Sequence, residues 1–188
     1  MKPFQILTTL FLTILIGCNF QPENKNHKKV VKKVNCIPYF DFDYIDHYFI
    51  NIEEGKLVEI EKKKNKTDKE RRQLELLWQY APLKLSDTIV LKGMEQLDFS
   101  KTEIFSEKFK QLNEIFCERM HKDYKDYACI AVYRDILVFK RKNKIIGVAK
   151  LCFGCNQHRI IGTDRNTDFF GYSGDFEKLD SILGYKSR

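Results

Sequence analysis

The sequence predicts an α+β domain in which about three to four helices pack on an antiparallel β-meander in the C-terminal half. Two capping boxes, with apolar residues at helical spacing behind them, predict the central helices. From residue 128 onward, β-rich runs separated by polar turns predict the meander. The 188 residues are 43% hydrophobic and 31% charged, which suffices for a core and excludes general disorder.

The first element of the domain is a predicted strand. Aromatic residues alternate with aspartates over residues 40–44, and the period of two continues, which predicts a strand region at 39–52. A break in that strand is expected near Asp46 and His47. Residues 53–63 fit either a helix or a hairpin, and both alternatives stay open.

Two helices are predicted in the middle of the chain. Thr67 and Glu70 form a capping box, and the helix that they open ends before Pro82. A second capping box, Ser100 to Glu103, predicts the start of the most regular amphipathic helix. Its apolar stripe consists of Phe105, Phe109, Leu112, Phe116 and Met120. We expect this stripe to pack in the core.

The C-terminal part is predicted as a hairpin, a third strand and a last helix. Residues 136–139 and 145–151 are β-rich and flank a polar turn, which is typical of a hairpin. Residues 158–162 fit a third, short strand. The last helix is predicted to begin after a cap at Ser173 and to end at Gly184.

Cysteine and histidine residues cluster in the sequence after this hairpin. Cys152, Cys155 and His158 follow one another at steps of three residues. With a two-residue turn at 142–143, strand pairing also brings Cys129 close to Cys155. Three thiols and an imidazole are therefore expected near one end of the meander.

Three interpretations of this cluster stay open. The four residues have the sulfur and nitrogen ligands of a tetrahedral zinc site. Alternatively, they include a disulfide, either structural or redox-active, because a CxxC pair lets one thiol resolve the other. In the third interpretation the cysteines form a plain structural bridge or fill core positions. A thioredoxin-like enzyme is disfavoured because no helical pattern follows Cys155.

The number of cysteines adds one constraint. Apart from Cys18, which is discussed below, five remain: Cys36, Cys117, Cys129, Cys152 and Cys155. An odd number leaves at least one thiol unpaired or bonded to another chain. Cys117 flanks the predicted apolar stripe and is expected to be a buried free thiol.

The N-terminus has the pattern of an exported protein. Lys2 precedes an apolar run over residues 4–16, which is too short to span a bilayer and fits a secretory signal. The next residues, Leu15-Ile16-Gly17-Cys18, resemble the lipobox of bacterial lipoproteins. This resemblance implies cleavage after residue 17, diacylglyceryl attachment to Cys18, and stable anchoring by the acyl chains.

Three segments are therefore expected: a signal peptide at 1–17, a lipidated cysteine with a flexible basic tether at 18–35, and one α+β domain at 36–188. The resemblance implies a bacterial cell-envelope protein. The outer membrane is favoured because Asn19 is not the aspartate associated with inner-membrane retention. Nucleic acid is not expected as a partner, because the net charge of +7 is spread along the chain and the N-terminus predicts export.

The expected function is non-enzymatic: the domain binds an envelope partner or has a structural role, without a cofactor. Common nucleophile, phosphate-binding and zinc-protease motifs are absent from the sequence. The alternative is a zinc-binding or thiol-redox lipoprotein acting through Cys152 and Cys155. The segment Cys152-Phe153-Gly154-Cys155 also resembles an uncharacterised group of small bacterial proteins with a Cys-Phe-x-Cys hairpin, which implies only a recurring module.

Overall fold

The computed structural model describes residues 36–78, 81–121 and 129–184. The predicted signal peptide and tether lie outside the described residues. The strands in this part of the chain are β1 (Ile37–Pro38), β2 (Tyr44–Phe49), β3 (Ser100–Glu103), β4 (Cys117–Glu118), β5 (Asp135–Arg141), β6 (Lys144–Cys152) and β7 (Gln157–Ile161). The α-helices are α1 (Glu54–Lys62), α2 (Asp68–Leu77), α3 (Phe109–Ile115) and α4 (Asp175–Leu183).

The strands form a five-stranded antiparallel sheet with the order β3-β2-β5-β6-β7, and β1 pairs with β4 in a separate two-stranded sheet. Strands β5, β6 and β7 are the predicted meander, so the α+β class is confirmed. Strand β2, from the N-terminal half, and strand β3, from the middle of the chain, extend it. No helix within the described ranges is both long and apolar enough to cross a bilayer.

Helices cover both faces of the five-stranded sheet. Alternate residues of β5 point to opposite faces: Ile136 and Val138 belong to a core cluster with α1 and α2, whereas Leu137 and Phe139 belong to a cluster with α3 and α4. The domain therefore has three layers, with β5 at the centre. This arrangement explains why the sequence of β5 reads as a continuous apolar run rather than an alternating one.

The hairpin between β5 and β6 turns at Lys142 and Asn143, as predicted, and both residues have positive φ angles, 47° and 62°. Next to the turn the register matches the prediction. A bulge between Phe139 and Lys140 then shifts it by one residue, so that Phe139 pairs with Gly147. A β-carbon at position 147 would lie 2.2 Å from the ring of Phe40, so this close packing requires glycine.

The prediction of a second capping box is wrong. Residues Ser100 to Glu103 form β3, which pairs with β2, and the next α-helix starts only at Phe109. Phe105 and Met120, at the two ends of the predicted stripe, are 70% and 75% exposed. The edge of β2 offers a row of hydrogen-bond partners to this segment, and such long-range pairing overrides a local helical pattern.

Other local predictions have mixed outcomes. The capping box of α2 is confirmed, with the Thr67 hydroxyl 3.2 Å from the Glu70 amide nitrogen. The ambiguous segment 53–63 contains helix α1. The predicted strand at 39–52 is shorter, and its expected break is wrong because residues 46 and 47 lie in the middle of β2. Helix α4 ends before Gly184 as predicted, but its N-cap is Gly174 rather than Ser173.

Phe139→Ala is expected to lower the free energy of unfolding by about 3–5 kcal/mol. The ring is fully buried, with centroids 4.6 Å from Phe40 and 4.9 Å from Phe116, so its removal leaves a cavity. Phe105→Ala is the matched control and should change stability by less than about 0.5 kcal/mol. Urea denaturation measures both, and similar losses for the two variants would contradict the assigned core.

Candidate functional site

The described cysteines form two disulfides and leave one thiol. Cys129 pairs with Cys155, with a Cα–Cα distance of 6.1 Å, and Cys36 pairs with Cys117, at 5.5 Å. The prediction that Cys117 is a free thiol is therefore wrong. Cys152 is the free cysteine of the described residues, and it is 3% exposed.

The Cys129–Cys155 bond joins two segments at one end of the sheet. Strand β6 ends at Cys152, and the chain then turns back into β7, with the Cys155 amide donating to the Cys152 carbonyl at 3.3 Å. The Gln157 side-chain amide donates to the Cys129 carbonyl at 3.0 Å. The disulfide and this hydrogen bond hold the segment before β5 against the turn.

His158 does not join the cysteines. It is paired with Leu151 across β6 and β7, and paired residues share a face, so the adjacent Cys152 points to the opposite face of the sheet. The His158 Nε2 donates to the Thr167 carbonyl at 2.8 Å, and burial lowers the pKa of the ring. The predicted cluster thus separates into a disulfide, a buried thiol and a histidine whose side chain points to the face opposite to Cys152.

The donor set for zinc does not fit this arrangement. Two of the four proposed ligand residues, Cys129 and Cys155, share a disulfide bond, and a cysteine binds zinc as a thiolate. Within the described ranges no group of three or more Cys, His, Asp or Glu side chains could hold a metal ion. Cys129, Cys152, Cys155 and His158 in this arrangement therefore do not fit a zinc site.

A cavity of about 450 Å³ opens beside the CxxC turn. Its walls come from the turn, from residues 132–135 and from helix α4. The rings of Phe153 and Phe176 meet edge to face in this wall, with centroids 5.6 Å apart. The lining also carries three carboxylates and one guanidinium: Asp135, Glu177, Asp180 and Arg134. The cavity therefore combines an aromatic wall with an excess of acidic groups.

One of these carboxylates belongs to a buried pair that sequence patterns did not indicate. His47 Nε2 lies 2.9 Å from Asp135 Oδ1, and the two residues are 7% and 1% exposed. They lie on the neighbouring strands β2 and β5, and the register of those strands brings them together. His47 lies in the predicted strand region 39–52, and Asp135 directly precedes the β-rich run 136–139, but the partner could be chosen only with the register known.

A second buried carboxylate, Asp46, lies on the opposite face of β2. Its oxygens are 3.1 Å from the Lys101 ammonium and 2.5 Å from the Lys140 ammonium, on the two neighbouring strands. Both lysines are more exposed than the carboxylate. A buried charge needs such partners, so this group is structural.

Lys150 is the buried cation of β6, and it is 1% exposed. Its ammonium donates to the Ala81 carbonyl at 2.8 Å and lies 4.8 Å from the centre of the Tyr133 ring. Burial lowers the pKa of Lys150 to about 7, and the positive charge of Arg159 acts in the same direction. The lysine ties the segment after α2 to the central sheet.

Lys150→Met is expected to reduce the increase in the free energy of unfolding between about pH 7 and pH 10.5. Because the pKa of Lys150 is about 7 in the folded protein and 10.5 in its ordinary state, the unfolded chain binds more protons between these values. The free energy of unfolding of the wild type should therefore rise through this range relative to the variant. Urea denaturation at several pH values measures it. Lys110→Met, at an exposed lysine, should keep the rise, and loss of the rise in this control would contradict the assignment.

No family model, curated protein or solved structure matches the chain.

Proposed function

We propose that the chain is a lipid-anchored protein of the bacterial cell envelope whose α+β domain binds a partner without enzymatic activity. The observation that carries this proposal is the presence of two disulfides among the five described cysteines. Structural disulfides persist in oxidising compartments and are rare in the cytosol. The lipobox-like segment ending at Cys18 supplies the anchor, and Asn19 favours the outer membrane.

The Cys36–Cys117 bond suits a domain held on a tether. Cys36 is the first described residue, and its disulfide closes a loop with a sequence separation of 81 residues. Next to it, β1 pairs with β4 and the Tyr39 amide donates to the Phe116 carbonyl at 2.8 Å. A mechanical force transmitted through the preceding chain would therefore act on a region that is cross-linked by a disulfide and paired in a short sheet.

The cavity beside the CxxC turn is the proposed binding site. Concave sites with an aromatic wall and a few polar groups are typical of ligand pockets. The single guanidinium of the lining belongs to Arg134, whose Nε donates to the Ile52 carbonyl at 2.8 Å. The carboxylates of Glu177 and Asp180 favour a partner group that carries a positive charge.

The thiol-redox alternative is favoured by one specific observation. Cys152 is a free thiol that lies in the same turn as a disulfide-bonded cysteine, Cys155. Exchange between these groups would move the disulfide from Cys129–Cys155 to Cys152–Cys155.

Cys18→Ala is expected to abolish labelling by radioactive palmitate and to leave a precursor that keeps residues 1–17. The cysteine thiol is the group that would be acylated, and cleavage would follow acylation. Gel mobility and palmitate incorporation in the bacterial host measure the effect, with Cys152→Ala as the cysteine control that stays labelled. Palmitate labelling of the Cys18→Ala protein would contradict lipid anchoring.

A photo-reactive amino acid in place of Gly154 is expected to crosslink the partner in intact cells. A side chain at this position meets no atom within 4 Å, and the position lines the cavity. Gly55 on α1 offers the same open space but does not line the cavity, which makes it the matched control.

Asp180→Lys in the Gly154-substituted protein should weaken the crosslink, because it reverses a charge in the cavity wall. Equal crosslinking from positions 154 and 55, or a crosslink that Asp180→Lys leaves unchanged, would contradict binding at the cavity.

A further inference from the structure

Three cysteines meet at the turn between β6 and β7. Cys155 is bonded to Cys129, while Cys152, three residues before Cys155, carries a free thiol. The amide of Cys155 donates to the carbonyl of Cys152 at 3.3 Å, which closes a β-turn. A turn of this kind keeps the two Cα atoms within about 7 Å. Disulfides span Cα separations of about 4.4–6.8 Å, so a turn of this kind brings the backbones of Cys152 and Cys155 to a separation that a disulfide can span.

We propose that these residues form a thiol–disulfide exchange site. Cys152 forms a disulfide with Cys155, the Cys129–Cys155 bond breaks, and Cys129 becomes a surface thiol. The proposal is independent of partner binding at the cavity. It requires only the turn, the disulfide and the free thiol.

The exchange balances without an added oxidant or reductant. Cys152 loses its proton to water, and its thiolate Sγ attacks the Sγ of Cys155. The Cys152–Cys155 bond forms as the Cys129–Cys155 bond breaks, and the electron pair of the broken bond leaves on the Sγ of Cys129. That sulfur then takes up a proton. One disulfide and one thiol are present before and after the step.

The two states differ in which thiol an outside molecule can reach. Cys152 is 3% exposed, so the state with the Cys129–Cys155 bond hides its thiol. Cys129 is exposed and is followed by Ile130, which is 71% exposed. Exchange therefore converts a hidden thiol into an accessible one. It also removes the covalent link between the segment before β5 and the turn that lines the cavity.

Alkylation of the native full-length protein in detergent tests the exchange. The protein is held without added thiol at a pH of about 8.5, close to the ordinary thiol pKa, in the presence of iodoacetamide. Peptide mass spectrometry under non-reducing conditions then identifies the alkylated cysteine and the disulfide. We expect alkylated Cys129 together with a Cys152–Cys155 bond, at a rate independent of protein concentration.

Cys152→Ser is the matched control, because it removes the attacking thiol and keeps the Cys129–Cys155 bond. It should lose the alkylation of Cys129. Alkylation of Cys152 with the Cys129–Cys155 bond intact, no alkylation at all, or equal alkylation of Cys129 in wild type and variant would overturn the proposal.

A second variant, Cys129→Ser, tests the product state directly. Since Cys155 has then lost its partner, mild oxidation should join it to Cys152, and the native protein should show no accessible thiol in this turn. Two persistent free thiols at positions 152 and 155 would overturn the proposal. The circular dichroism spectrum of each variant shows whether the fold is kept.

Discussion

Burial of strand β5 on both faces is the constraint on which the rest of the structure depends. Ile136 and Val138 must be covered on one side, and Leu137 and Phe139 on the other. A sheet with two apolar faces needs a helical layer on each of them, because neither face tolerates water. The helices from the first half of the chain supply one layer, and α3 and α4 supply the other.

The same burial means that each ionisable side chain within the sheet needs a polar partner. Asp46, His47 and Lys150 lie within strands and are almost fully buried. Each has a specific partner: two lysine ammonium groups, the Asp135 carboxylate, and the Ala81 carbonyl. An unpaired charge at such a position would be strongly destabilising. These contacts therefore select one register of the neighbouring strands, since a slip by one residue would separate every pair.

The two disulfides add covalent links to this framework. One disulfide closes the entry of the chain into the domain, and the other attaches the segment before β5 to the CxxC turn. The cavity lies beside that turn, so the disulfide that the proposed exchange would break lies next to the cavity wall. The candidate binding site and the candidate redox site are thus parts of one small region.

Local patterns in the sequence determined the α+β class, the α2 capping box, the turn at Lys142 and Asn143, and the end of α4 at Gly184. These features depend on residues that are close in the chain, so short-range hydrogen bonds and backbone preferences decide them. Only the tertiary structure decided that Ser100 to Glu103 is a strand, that Cys117 bonds Cys36, and that His158 and Cys152 lie on opposite faces. The bulge in the β5–β6 hairpin, which shifts the register by one residue, was also decided by the tertiary structure. Pairing between distant segments outweighs local propensity because it provides hydrogen bonds for backbone groups that burial would otherwise leave unpaired.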